Sequence, residues 1–114
     1  MPPVARLRAA GVTVFVGSDN IRDAWSPYGN GDLLERAMLV GYRQGMMSDT
    51  ALCDAVSLVT EAPARVLGVD EDYGLHIGAR ADIVALQAGS VPEALVTRPG
   101  GRIVIKRGRV VSQD

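Results

Sequence analysis

The residue best placed to do chemistry in this sequence is Asp19, which follows a short apolar run. Residues 12–16 are all β-branched or aromatic, as is typical of a strand buried on both faces of a parallel sheet. The run ends at Gly17, and Ser, Asp and Asn follow. Ligands bind at the carboxyl ends of the strands in parallel α/β folds. Asp19 is therefore either a functional acid facing a cleft or the cap of a following turn.

The loop at residues 21–31 is the second candidate for function. It is rich in Gly, Pro, Asn and Ser and holds the only tryptophan, Trp25. Such a loop beside a strand end often carries function, and the alternative is a packed surface loop anchored by Trp25. The only histidine, His76, cannot build the usual metal site of several imidazoles. The lone Cys53 is best explained as a small packing residue.

The elements that must position these residues change character near residue 70. Before residue 70, helical spacing and capping residues predict four helices. The first covers residues 3–10 and ends at Gly11, and the second runs from Asp32, with Glu35 as its capping-box partner, to Gly45. The third begins after Ser48 or Asp49, and the fourth covers residues 63–67 before Gly68. After residue 70, the sequence predicts strands over 81–86, 102–106 and 109–112, the last two joined by a hairpin at Arg107-Gly108. Residues 91–96 are either a helical turn or a crossing loop. We therefore expect two domains, residues 1–69 and 70–114.

Composition limits the class of protein. The 114 residues carry a formal net charge of −1, which argues against nucleic acid as a partner. No apolar run approaches the roughly 20 residues of a membrane helix, and no signal peptide is visible. A single cysteine excludes an internal disulfide and fits a reducing compartment. We expect a cytoplasmic protein with no nucleic-acid or membrane partner.

Three segments in order resemble the C-terminal part of the amidohydrolase superfamily. They are Gly17-Ser-Asp-Asn20, Thr60-Glu-Ala-Pro-Ala-Arg-Val-Leu-Gly68, and Tyr73-Gly-Leu-His-Ile-Gly-Ala-Arg-Ala-Asp-Ile-Val84 with the hairpin Ile103–Val111. The stretch from Gly17 to Asp32 is similar to the cytosine deaminase and N-isopropylammelide amidohydrolase branch. That branch hydrolyses an amine from a nitrogen heterocycle.

The resemblance implies an α/β fold in which residues 12–16 form the last strand of a (β/α)8 barrel, followed by part of a small β-sandwich. It also implies that Asp19 binds a divalent metal, zinc or iron, and takes a proton from the attacking water. Asn20 and Trp25 match positions that shape the substrate pocket. In cytosine deaminases a second acid commonly follows the metal aspartate, so Asn20 departs from them and leaves room for a triazine or another ring.

The resemblance covers only the last part of such an enzyme. The family's His-x-His pair, its later metal histidine and its proton-transfer residues do not occur in this sequence, and a complete barrel needs roughly 250 residues. We therefore expect a fragment that is inactive and without bound metal when isolated. The alternative is a truncated, non-catalytic module. In either case unpaired edges at residues 12–16 favour self-association.

Overall fold

The computed structural model describes residues 1–113, which form α helices and a small antiparallel sheet. The helices are α1 (Val4–Ala9), α2 (Leu33–Gln44), α3 (Asp49–Ser57), α4 (Glu61–Val66) and α5 (Val91–Thr97). The strands are β1 (Ile83–Ala85), β2 (Ile103–Lys106) and β3 (Arg109–Gln113), and a 3₁₀ turn spans Asp70–Asp72. The sequence therefore predicted the order of the helices and strands correctly, except that residues 12–16 form no strand and that residues 91–96 were left open between a helical turn and a loop.

Local capping residues define the ends of the two central helices. The Asp32 carboxylate accepts from the Leu34 N–H at 3.0 Å at the start of α2, and Gly45 ends this helix at φ 69°. Glycine adopts that left-handed conformation without the steric cost of a side chain. Ser48 caps α3 by accepting from the Ala51 N–H at 3.2 Å. These predicted caps are confirmed.

The predicted capping box at the start of α2 is wrong in its second half. The backbone N–H of Asp32 donates to Asn30 Oδ1 at 2.9 Å instead of to Glu35. The Glu35 carboxylate in turn accepts from Asn30 Nδ2 at 3.0 Å. Asn30 thus bonds both to the Asp32 N–H and to the Glu35 carboxylate, the two groups that a capping box would join directly. It can do so because an asparagine amide offers a donor and an acceptor on one short side chain.

The sheet has the order β1-β2-β3 and is antiparallel throughout. The predicted hairpin is confirmed, since Arg107 and Gly108 both have positive φ values of 49° and 74°. Two such residues form the tight turn whose twist matches that of paired strands. The Asp82 carboxylate accepts from the Arg107 N–H at 2.7 Å and from Lys106. These hydrogen bonds lower the pKa of Asp82, and the bond from Lys106 has the largest effect.

The core lies where α2, α3 and α5 meet. Ala37, Ala55, Val59 and Leu95 form its buried cluster, and Leu95 of α5 is fully buried. The open alternative at residues 91–96 is thereby resolved as a helix, capped by Ser90, which accepts from the Glu93 N–H at 3.2 Å. The two-domain division at residue 70 stays a prediction, and α5, which follows that position, packs on α2 and α3.

The expectation of a strand buried on both faces at residues 12–16 is wrong for this structure. These residues belong to no strand, and Val12 and Phe15 are 48% and 50% exposed. Val14 and Val16 pack on the cluster of Val4, Val40 and Leu58. A strand requires a neighbour to receive its backbone hydrogen bonds, and the described residues place no strand beside this segment.

Within residues 1–113, no helix combines the length and the apolar character that crossing a membrane requires.

Candidate functional site

The segment that carries Asp19 is held at its base by the helical core. The Val16 N–H donates to the Leu58 carbonyl at 2.8 Å, which ties residue 16 to the end of α3. Asp19 follows three residues later with φ at 56° and is exposed. A positive φ is uncommon outside glycine, although aspartate adopts it more readily than most residues. The backbone therefore turns sharply at this aspartate.

Asp23 organises the loop that follows Asp19. One carboxylate oxygen accepts from Asn20 Nδ2 at 2.7 Å, and the other accepts from the N–H groups of Trp25 and Ser26 at 2.8 and 3.0 Å. These hydrogen bonds lower the pKa of Asp23, and the bond from Asn20 has the largest effect. The Arg22 N–H closes the loop by donating to the Tyr28 carbonyl at 3.0 Å. The Asn20 side chain is thus committed to the shape of the loop.

The structure brings Asp19 and Asn20 together on the wall of one cavity. This cavity has a volume of about 430 Å³ and is lined by Ser18, Asp19, Asn20, Ser26, Tyr28, Gly29, Glu35, Arg36 and Leu39. Trp25 is 87% exposed at the tip of the loop and is not among the lining residues. The pocket roles of Asn20 and Trp25 stay predictions. A smaller cavity of about 140 Å³ lies elsewhere, between residues 8–14 and 57–65.

Two lining residues, Glu35 and Arg36, were missed by the sequence analysis. They lie in the first turn of α2, directly after the Asp32 cap. No local signal in the sequence marked them, because their place at the cavity depends on how α2 packs against the loop. Their charges give the cavity wall both signs beside Asp19.

A long-range ion pair fixes the start of α2 against the sheet. Arg102 donates from Nη1 and Nη2 to the two carboxylate oxygens of Asp32 at 3.0 and 2.8 Å. The hydrogen bonds from Arg102 lower the pKa of Asp32. Partial burial of the carboxylate acts in the opposite direction, but its effect is smaller. Bidentate guanidinium–carboxylate pairs constrain geometry as well as adding energy. The pair therefore connects the segment before β2 to the helix that borders the cavity.

The described residues do not by themselves fit a metal centre. Within residues 1–113, no three His, Cys, Asp or Glu side chains converge so that they could hold a metal ion. Asp19 supplies one carboxylate, which is one ligand of the several that a divalent ion requires. His76 is exposed, and its Nδ1 lies 3.3 Å from its neighbour's carbonyl, that of Ile77.

Comparison with known proteins identifies relatives over nearly the whole chain. The model of the Amidohydrolase family matches residues 1–112. N-isopropylammelide isopropyl amidohydrolase of Pseudomonas sp. (strain ADP) is 37% identical over 112 residues, 98% of this chain and 28% of that protein. Pterin deaminase of Rhizobium rhizogenes is 33% identical over 111 residues, 95% of this chain and 24% of that protein. The chain thus spans about a quarter of the length of these two curated relatives.

Solved structures give the same result for the fold. N-isopropylammelide isopropylaminohydrolase from Burkholderia multivorans superimposes with a TM-score of 0.92 at 48% identity, covering 99% of this chain and 29% of that one. 5-Methylcytosine deaminase from Klebsiella pneumoniae, liganded with 5-fluorocytosine, superimposes with a TM-score of 0.89 at 31% identity. The match covers 100% of this chain and 28% of that one. The resemblance stated from the sequence motifs is confirmed. This chain belongs to the amidohydrolase family.

Proposed function

We propose that this chain is the C-terminal segment of a metal-dependent hydrolase that cleaves the bond between an amino group and a ring carbon of a nitrogen heterocycle. The observation that carries the proposal is the position of Asp19 and Asn20 on one cavity wall, in a chain 37% identical over 112 residues to an amidohydrolase. The relatives are named for N-isopropylammelide, pterin and 5-methylcytosine. These names support a cytosine-like pyrimidine or an aminotriazine as the substrate class.

The residues of this chain have separate roles in the proposal. Asp19 contributes one carboxylate ligand to a divalent metal, zinc or iron, and accepts a proton during hydrolysis. A divalent metal supplies acidity, since bound water loses its proton near neutral pH. The remaining ligands have to come from outside the described residues. Asn20 shapes the pocket through its bond to Asp23, and Trp25 provides an aromatic face from the loop.

The proposal extends to partners and compartment. The single cysteine supports a reducing compartment such as the cytoplasm. The exposed Val12 and Phe15 support association through residues 12–16, with a barrel neighbour in a longer polypeptide or with a second copy. The alternative of a purely non-catalytic module is less well supported, because the relatives that match nearly the whole chain are enzymes.

The test uses the longest natural polypeptide that carries this sequence. It is purified with zinc or iron and incubated with cytosine, ammelide, N-isopropylammelide and pterin, and released ammonia or isopropylamine is measured. We expect release from at least one of these rings and none from acyclic amides of similar size. Absence of release from every ring, in a folded and metal-loaded preparation, would contradict the proposed function.

A further inference from the structure

Arg36 is a partly buried cation on the wall of the cavity that holds Asp19. Its Nε atom is buried and has no hydrogen-bond partner. No ion pair between residues 1–113 uses its guanidinium. Buried donors in folded proteins are nearly always paired, and an arginine offers five donors and no acceptor. The unpaired Nε–H of Arg36 therefore requires an explanation.

The nearby carboxylates already have other partners or lie apart from Arg36. Glu35 accepts from Asn30 Nδ2, Asp32 is held in the bidentate pair with Arg102, and Asp23 accepts three bonds within its own loop. Asp19 is exposed. No acid among residues 1–113 therefore pairs with Arg36, and its guanidinium has no ionic partner on the cavity wall.

Gly29 keeps space for the guanidinium beneath the loop. A Cβ added at Gly29 would lie 2.9 Å from Arg36 Nη2 and 3.0 Å from the Asn20 carbonyl oxygen. Gly29 also has φ at 103°, a conformation that strongly favours glycine. The bare backbone of Gly29 therefore leaves room for both the Arg36 guanidinium and the Asn20 carbonyl beside it.

We infer that Arg36 is a specificity-determining residue that donates hydrogen bonds to an exocyclic oxygen, keto or enolate, on a ring carbon of an amino-substituted nitrogen heterocycle. The planar guanidinium fork suits an oxygen acceptor in the plane of a flat ring. A site built to pair with such an oxygen rejects the ring that lacks it, because the arginine donors then stay unsatisfied. This inference rests on the proposed function and specifies the substrate class.

The experiment compares rings that differ only in their oxygens. The probe pairs are cytosine with 4-aminopyrimidine, and ammelide with 2-amino-1,3,5-triazine. Each is tested as a substrate or competitive inhibitor of the longest polypeptide that carries this chain. The variants are Arg36→Met, which removes the charge, and Arg36→Lys, which keeps the charge but not the fork. Arg43→Met is the control, because Arg43 is exposed on the same helix.

We expect Arg36→Met to weaken binding of the oxygenated ring by about 10- to 100-fold, the range for losing a charge-assisted hydrogen bond. Binding of the ring without oxygen should change by less than about threefold, and Arg43→Met should change neither. Arg36→Lys should fall between wild type and Arg36→Met, and this variant carries the test if Arg36→Met does not fold.

Equal losses for both members of a pair, or no loss for either, would overturn the inference and assign Arg36 a structural role. This result is distinguishable from failure of the proposed function, because turnover by the wild-type protein is measured first. Turnover with no oxygen preference in Arg36 variants rejects only the inference. No turnover of any ring by the wild-type protein rejects the proposed function on which the inference rests.

Discussion

Removing the ion pair between Asp32 and Arg102 should destabilise the fold by an amount that depends on its partial burial. The Arg102 and Asp32 side chains are 27% and 21% exposed, so the pair is neither a surface pair nor a core pair. Exposed pairs contribute at most about 1 kcal/mol, whereas breaking a buried pair costs about 3–5 kcal/mol. We therefore expect Arg102→Met to lower the free energy of unfolding by about 2 kcal/mol. For a chain of this size, that corresponds to roughly 8 °C in Tm.

The assay is urea unfolding of the 114-residue chain followed by far-ultraviolet circular dichroism. Asp32→Asn is the second single variant, because asparagine is an equally good N-cap and removes only the charge. The double variant completes a cycle, in which we expect a coupling of about 1–2 kcal/mol. Arg109→Met on exposed β3 is the control and should change stability by less than about 0.5 kcal/mol.

The coupling between Asp32 and Arg102 should also depend on pH in a defined direction. The folded-state pKa of Asp32 is lowered, chiefly by Arg102. The stabilisation is therefore complete above the ordinary carboxyl pKa of about 3.9 and is lost as the pH falls through the lowered value. A coupling smaller than about 0.5 kcal/mol at pH 7, or one that grows as the pH falls to 3, would refute this reasoning.

Two further changes test the core and the loop. Leu95→Ala should cost about 2–4 kcal/mol in urea unfolding, because it leaves a cavity where α5 meets α2 and α3, whereas Val96→Ala at an exposed position should cost far less; equal costs would contradict the packing. Asp23→Ala should lower the fluorescence anisotropy of Trp25, the only tryptophan, because the loop loses three hydrogen bonds. The wild-type anisotropy should fall in the same way as the pH drops through the lowered pKa of Asp23, and an unchanged anisotropy in Asp23→Ala would contradict the role of this carboxylate.

Features set by neighbouring residues could be predicted from the sequence. The caps at Asp32 and Ser48, the left-handed glycine at position 45 and the Arg107-Gly108 hairpin depend on a few adjacent residues. The hydrogen bonds and backbone angles that form them involve only residues within about one turn of the chain. The motif-based assignment to the amidohydrolase family succeeded for a related reason, since it depended on short segments in a fixed order.

Features that depend on distant partners could not be predicted in this way. The ion pair joins residues 70 positions apart, and nothing local to Arg102 marks Asp32 as its partner. The apolar run at residues 12–16 has the composition of a strand, but strand formation depends on a neighbour that the described residues do not supply. The position of Arg36 at the cavity likewise follows from how α2 packs beneath the loop.

The most direct test of the central claim is the effect of Asp19→Asn on turnover and metal content in the longest polypeptide that carries this chain. Glu71→Gln, a charge-neutralising change at an exposed site, serves as the control. If Asp19 is a ligand and proton acceptor, Asp19→Asn should reduce amine release from the best heterocycle by at least about 100-fold, and it should lower the bound zinc or iron per chain. Wild-type turnover together with wild-type metal content in Asp19→Asn would contradict the account.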